Sequence, residues 1–253
     1  MKKMGRIFIY LFLIIASFIS VYPFLWMIIS MTNKSVDVTQ GRLLPGTHLF
    51  ENLRVLFETV DMRTPIMNST IIAVISTVLT LLISSLAGYG FEIYRSKMKD
   101  WVFNILLVSL MIPFAAIMIP LYQFFGELAH TVPAIGIDTL PAAFLPTITT
   151  AFFIFLFRQN TKMFPKELIE AGRIDGLSEI GIFFRIYVPT MKTTYAAAAI
   201  IAFMNSWNNY LWPLVILQSP ENQTIPLLIS NLGAGYAPDY GVIMTAVVIA
   251  TIP

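Results

Sequence analysis

A chain of 253 residues that is 57% hydrophobic and 12% charged, with a mean hydropathy of +0.76, lies outside the composition of soluble domains, where charged residues alone make up about a quarter. It reads as an integral membrane protein. The lack of cysteine excludes a disulfide framework and a thiolate metal site, and the net charge of +2 matters less than where the charges fall.

The amino end, MKKMGR, is basic, and residues 7–31 follow without a charged side chain. That run is long enough to cross a hydrocarbon core of about 30 Å at about 1.5 Å per residue. A cleaved signal peptide would carry an apolar region of only about 7 to 15 residues, so this is expected to be an uncleaved first span. Residues 32–63 form a polar excursion with a Pro45-Gly46 turn. Phe50, Leu53, Phe57 and Val60 then recur at helical spacing, with Glu51, Arg54 and Glu58 on other faces. An amphipathic helix lying along the membrane surface fits that pattern. Further uncharged runs cover residues 64–91, 101–126, about 139–157 and 193–217, and a sixth begins near Tyr240. The expectation is an all-α polytopic membrane protein with six transmembrane helices, the whole of 1–253 forming one transmembrane domain.

Pro113 and Pro120 in the third run, and Pro141 and Pro146 in the fourth, are expected to bend helices, although proline is also simply tolerated in membrane spans. The small residues Ala196 to Ala199 would let the fifth span pack closely on a neighbour.

If the amino terminus is cytoplasmic, the inner segments hold Lys2, Lys3, Arg6, Arg95, Lys97, Lys99, Arg158, Lys162, Lys166, Arg173, Arg185 and Lys192. Only Lys34, Arg42, Arg54 and Arg63 of the 16 basic residues then lie outside. Such a bias orients spans, so the amino terminus is expected on the cytoplasmic side.

Residues 164–189, FPKELIEAGRIDGLSEIGIFFRIYVP, concentrate charge, glycine and helix punctuation between two hydrophobic spans. Pro165 suits a first helical position, Glu167 the first turn, and Asp175-Gly176 a stop. Ser178 can cap a second helix that runs to Pro189, whose ring biases Val188 away from helical geometry. The small pair Ala171 and Gly172 would leave a face open to close approach by another protein's backbone. An ordinary connector between spans fits the same residues.

The spacing Glu170-Ala171-Gly172, Gly176, Ile186 and Val188-Pro189 resembles the EAA loop of the membrane subunits of ATP-binding-cassette importers. With Ile174-Asp175-Gly176 and 207–213 (WNNYLWP) it is similar to the carbohydrate branch, the maltose-permease-like subunits. The likeness runs from residues 22–26 to the last residue. Gly172 stands where the family usually has a second alanine, and Val188 where leucine is usual. The resemblance implies a type I importer permease in a bacterial or archaeal inner membrane, with 164–189 as a cytoplasmic coupling loop. It assigns Glu170, Ala171, Gly172, Asp175, Gly176, Ile186, Val188 and Pro189 to ATPase docking. The implied partners are a second related permease subunit, in a heterodimer, a pair of ATPase subunits that bind the ATP, and an external solute-binding protein that delivers a sugar and meets residues 218–238. No cofactor, metal or nucleic acid is implied for the chain itself. Family members continue past the equivalent of Pro253, so the sixth helix is expected to be truncated in this sequence.

Within the fifth run Asn205, Asn208, Asn209 and Trp212 recur at three- and four-residue intervals, which would place them on one helical face with Trp207 and Tyr210 beside it. Amides and rings together suit a sugar in a translocation pathway. Interhelical hydrogen bonding and an interfacial aromatic belt explain them without a ligand. The six runs carry no ionisable residue away from their ends, which counts against an ion-coupled secondary carrier. There is no GxxxxGK[ST] loop and no HExxH pair, and His48 and His130 lie on outer loops. The chain is therefore expected not to hydrolyse ATP alone, and an intramembrane enzyme would lack a nucleophile with its base. A permease of the same superfamily for a non-sugar solute is the remaining alternative.

Overall fold

The computed structural model describes residues 2–253, with side chains from Arg6 onward; the side chains of Lys2 and Lys3, counted in the charge bias, lie outside that range. Every regular element among the described residues is helical. The first four helices are α1 (Lys2–Ser30), α2 (Ser35–Thr39), α3 (Leu49–Thr59) and α4 (Arg63–Ile93). Next come α5 (Lys97–Ser109), α6 (Phe114–Thr131), α7 (Leu140–Phe144) and α8 (Ala151–Thr161). The region of 164–189 holds α9 (Glu167–Ile174), α10 (Glu179–Ile182), a π-helical turn (Phe183–Tyr187) and α11 (Val188–Thr190). Last are α12 (Lys192–Trp207), α13 (Leu211–Ile216), α14 (Ile225–Gly233) and α15 (Tyr240–Thr251).

Helix α1 from Arg6 and helix α4 are each long and apolar enough to cross a bilayer unbroken. The third expected span is instead a broken pair in which α5 and α6 meet at 99°, and the fourth is a pair bent by 45° between Leu140–Thr147 and Ala151–Thr161. The breaks follow from backbone chemistry. Ahead of Pro113 the amides of Met111 and Ile112 turn to the carbonyls of Val108 and Ser109 three residues back, tightening the helix end. Pro113 itself is extended at φ −65°, ψ 136° and has no N–H to continue the ladder. Pro146 sits in the 3-10 turn at the second break. Pro141, by contrast, opens α7, where its missing N–H would have had no partner, and Pro120 lies inside α6. The fifth run is also divided, between α12 and α13, and the expected loop 218–238 contains a helix, α14.

The chain falls into two compact units, residues 1–66 with 224–253, and residues 67–223. In the first, α15 packs on α1, α2, α3 and α14 around Leu56, Met62, Val242 and Ala246. Asp239 caps α15 through the amides of Gly241 and Val242, at 3.0 and 3.3 Å. Asn52 donates to the carbonyls of Met31 and Asn33 just past the end of α1, at 2.8 and 3.0 Å. Gly241 permits that packing, because a Cβ there would stand 2.6 Å from the carbonyl oxygen of Asn33. Helix α3 exists as expected but turns a different face inward: Asn52 and Leu56 are buried while Phe50 and Phe57 are exposed. The most apolar stretch of α1 is unburied all round, as suits a helix whose neighbour is lipid or another subunit.

In the second unit α8 packs against α5 and α12. Phe153 and Phe157 bury against Ala198 and Ala202, so one of the four expected small residues, Ala198, lies in that contact. At Gly88 helix α4 comes so near α8 that a Cβ would meet Cβ of Phe157 at 2.7 Å.

Candidate functional site

Residues 164–189 form a helical hairpin on a buried base. Helix α9 ends at Asp175, and Gly176 takes the left-handed conformation at φ +79°. The amide of Gly176 donates to Arg173 O at 3.1 Å and that of Leu177 to Gly172 O at 2.9 Å, the paired bonds of a Schellman ending. Ser178 then caps α10 through the amide of Gly181 at 3.2 Å. Across the turn Arg173 Nε donates to Glu179 at 2.7 Å, and the Tyr94 hydroxyl donates to the other oxygen of Glu179. The Arg173 bond, then that from Tyr94, holds the Glu179 carboxyl below its ordinary range.

The second helix does not stop at Pro189. Val188 is helical at φ −57°, ψ −49°, and α11 carries the chain through the proline. The π turn over Phe183–Tyr187 accounts for this, since its wider winding relaxes the crowding that a proline ring imposes on the carbonyl one turn back.

Ile169, Ile182, Phe183 and Tyr187 bury against Phe164, Tyr89 and Met191, fixing the hairpin to the end of α4. Tyr187 and Thr161 share a 2.6 Å hydrogen bond inside. Gly172 belongs to this interior and not to a docking face: a Cβ there would meet Ile186 Cδ1 at 2.7 Å and Ile182 Cγ1 at 3.2 Å. Of the other residues assigned to docking, Glu170, Ala171, Asp175, Gly176 and Pro189 are exposed, while Ile186 and Val188 are half-buried. The outward face of α9 is Glu167, Glu170, Ala171 and Ile174, at helical spacing, with Ile174 86% exposed. The assignment by resemblance did not include Ile174, although its place seven residues after Glu167 puts it on the same face as Glu170 and Ala171.

The same unit forms a partly open cavity of about 470 Å³. Its polar lining is Ser76 and Thr80 of α4, Thr147 and Thr150 around the α7–α8 break, and Asn205, Ser206 and Asn209 at the end of α12. Phe114, Phe152 and Phe153 supply rings, and no lining residue is charged. Ser76 Oγ donates to Ser206 Oγ at 3.1 Å. Asn205 and Asn209 thus reach the cavity, but the four residues expected on one face do not share one. The helix ends at Trp207, with Asn208 as its C-cap returning Nδ2 to Met204 O at 3.0 Å. Trp212 is fully buried in α13 and donates its indole N–H to Ala142 O at 2.9 Å, a packing role. Ser76 and Thr80, one turn apart and buried on α4, are the pattern that could have located this wall.

A further group is charged and buried. Arg158 Nε lies 3.4 Å from Glu92, both side chains 6% exposed, and its Nη2 donates to Asp100. The guanidinium also sits 4.0 Å over the Phe103 ring. The uncharged runs end just short of Glu92 and Arg158, and helices α4 and α8 continue past those ends to bring the two together.

Residues 80–253 match the family described as binding-protein-dependent transport system inner membrane component. The lactose transport system permease protein LacG of Rhizobium radiobacter is 47% identical over 252 residues, spanning 100% of this chain and 90% of the relative. The arabinooligosaccharides transport system permease protein AraQ of Halalkalibacterium halodurans is 36% identical over 242 residues, spanning 94% and 85%. A chain from a bacterial ABC transporter involved in the import of the acidic polysaccharide alginate superposes with a TM-score of 0.84 at 21% identity, covering 99% of this chain and 92% of its own. That likeness speaks for the fold. The family match over 80–253 and the two relatives lead to one assignment: the chain belongs to the binding-protein-dependent transport system inner membrane component family.

Proposed function

We propose that the chain is the membrane-spanning permease subunit of an ATP-driven, binding-protein-dependent carbohydrate importer. A partner ATPase would dock under α9, a second permease subunit would complete the pathway, and a solute-binding protein would deliver the sugar from outside. The observation that carries this reading is the outward face of α9, where Ile174 stands 86% exposed beside Glu167 and Glu170 on a base whose other side is buried. An apolar knob ringed by carboxylates on a rigid mount is what a receiving cleft can grip. The relatives named for lactose and arabinooligosaccharides support the solute class. The distribution of Arg and Lys supports a cytoplasmic amino terminus and hairpin.

The test combines transport with orientation. Ile174→Asp should abolish sugar uptake and co-purification of the ATPase while membrane abundance stays normal. In this cysteine-free chain, Ile174→Cys should react with an impermeant thiol reagent only in inside-out vesicles. Normal uptake by Ile174→Asp would overturn the docking reading, and labelling from the outer face would overturn the orientation.

A further inference from the structure

We infer that helix α3 is an interfacial anchor whose aromatic strip, Phe50 and Phe57, lies among the lipid headgroups and upper acyl chains at the membrane surface where α1 ends and α4 begins. Connectivity sets its depth. The amide of His48, just ahead of α3, donates to Thr32 O at 2.9 Å, and Asn52 donates to Met31 O and Asn33 O, so the helix is bonded to the residues that directly follow α1. At its other end the steps from Thr59 to Arg63, where α4 starts, reach no more than about 14 Å even fully extended. The two flanking spans thus hold α3 at one membrane boundary, where the headgroup layer is about 5–7 Å thick.

At about 3.6 residues per turn the helix divides its circumference into three sectors. Asn52 and Leu56 point inward, toward α15 and the end of α1. Phe50 and Phe57, seven residues apart and so on one line, are 81% and 60% exposed, with half-buried Leu53 beside them. Glu51 and Glu58, spaced in the same way, are exposed on the other flank. Core, lipid and water are the three neighbours of a helix packed on the side of a membrane domain at the surface, and each sector suits one of them. A protein arriving from the water would meet the carboxylates, not the rings. Arg54 lies between rings and carboxylates, 4.0 Å from Glu58 in a pair too exposed to keep its guanidinium from a lipid phosphate. The loop ahead of α3 repeats the pattern. Leu43 and Leu44 are exposed, and Asn33 Nδ2 donates to Leu44 O at 3.0 Å, tying this apolar pair to the end of α1 as well.

The experiment uses the complete importer in nanodiscs. The chain has no cysteine, so with partner subunits also made cysteine-free, Phe50→Cys, Phe57→Cys and Glu58→Cys each take one nitroxide in separate preparations, and failure of one ring variant to assemble leaves the other. Electron paramagnetic resonance measures collisions of the nitroxide with molecular oxygen, which concentrates in lipid, and with a water-soluble nickel chelate, with and without the delivery protein. The ratio of oxygen to nickel collisions at Phe50→Cys and Phe57→Cys is expected to exceed that at Glu58→Cys several-fold and to keep its value when the delivery protein is added. A ratio at the ring positions no higher than at Glu58→Cys places the strip in water and overturns the anchor. Loss of both kinds of collision at the ring positions overturns it too, assigning the strip to another subunit where the loss occurs without the delivery protein and to that protein where the loss depends on it.

Discussion

Gly172 and Ile186 touch: a methyl group added to the glycine would lie 2.7 Å from Cδ1 of the isoleucine. Both positions belong to the family's sequence pattern, and their contact shows that part of the pattern holds the hairpin together instead of facing a partner. The nearest atom is the far end of a flexible side chain, so Gly172→Ala should be close to neutral. Relief of glycine's helix cost, about 1 kcal/mol, offsets the displaced methyl. Gly172→Leu should overpack the base and lose about 1–3 kcal/mol. Thermal midpoints of the detergent-solubilised subunit would check both, and an unaltered midpoint for the leucine variant would sink the assignment.

Gly176 presents the opposite case. No atom lies within 4 Å of its would-be Cβ, so a side chain meets open space and the whole cost is backbone, at φ +79°. Gly176→Val should cost about 1–2 kcal/mol, and Gly176→Asn less, since asparagine tolerates this region. Because the turn sets how α9 is presented, ATPase co-purification is expected to fall before membrane abundance does. An Asn variant as impaired as the Val variant would argue against a conformational cause.

Much of this was legible because apolar runs, caps and stops are local properties. The first and second spans, the start of α15 at Tyr240, the Ser178 cap and the Gly176 stop all follow from neighbouring residues alone. Tertiary pairing was not local. Nothing adjacent to Gly172 says that Ile182 and Ile186 fold back onto it, and nothing near Asn208 says that α12 gives way there. The inward face of α3 departs from its apolar one for a related reason. Asn52 faces inward to satisfy carbonyls past the end of α1, and a hydrophobicity count cannot see a polar residue with that task. The cavity's hydroxyl residues carry weak periodic signals individually, and only the approach of α4, α8 and α12 makes them a wall.

Arg158 is the most deeply committed charge among the described residues, paired with Glu92 and Asp100 and stacked on Phe103. Removing one partner of a buried pair leaves the other uncompensated, a loss of about 3–5 kcal/mol, whereas apolar replacement of both is often nearly neutral. Arg158→Met should therefore sharply reduce membrane abundance, and Arg158→Met with Glu92→Met should recover much of it. Asp100→Asn should matter less, since Asp100 is partly exposed and also holds Arg95. Immunoblots of the membrane fraction would decide; a double variant worse than the single would show that the pair does more than satisfy itself.

Asp138 pins a turn. At φ 62° it accepts from the amides of Gln218 and Ser219, at 2.8 and 3.0 Å, and from the Ser219 hydroxyl at 2.6 Å. Burial alone would raise its pKa, but these bonds, with Asn222, outweigh it and hold the carboxyl below its ordinary value of 3.8. A depressed carboxylate contributes stability that is fully present above its unfolded value and lost as pH falls through the lower folded one. Protection of the Gln218 and Ser219 amides from hydrogen exchange should accordingly be flat from neutral pH down to the ordinary carboxylate range and decline only below it. Asp138→Asn should lose protection at every pH. A decline already near neutrality would assign the turn's stability to another group.

Thr150 and Thr161 offer a paired comparison that separates a hydroxyl used by the fold from one the fold leaves idle. Thr161 donates to Phe157 O at 2.7 Å and meets Tyr187 at 2.6 Å, so Thr161→Val strands a buried phenol and should cost about 1–3 kcal/mol. Thr150 has no partner to strand, and an apolar isostere there removes an unsatisfied buried oxygen, so Thr150→Val should leave the thermal midpoint unchanged or raise it. Because Thr150 Oγ1 is buried out of reach of anything water-sized, the same substitution should leave uptake unchanged. For Thr161→Val the maximal uptake rate should fall together with the midpoint, because a destabilised subunit lowers the amount of importer. A Thr150→Val protein that is less stable would mean its hydroxyl has a structural partner after all.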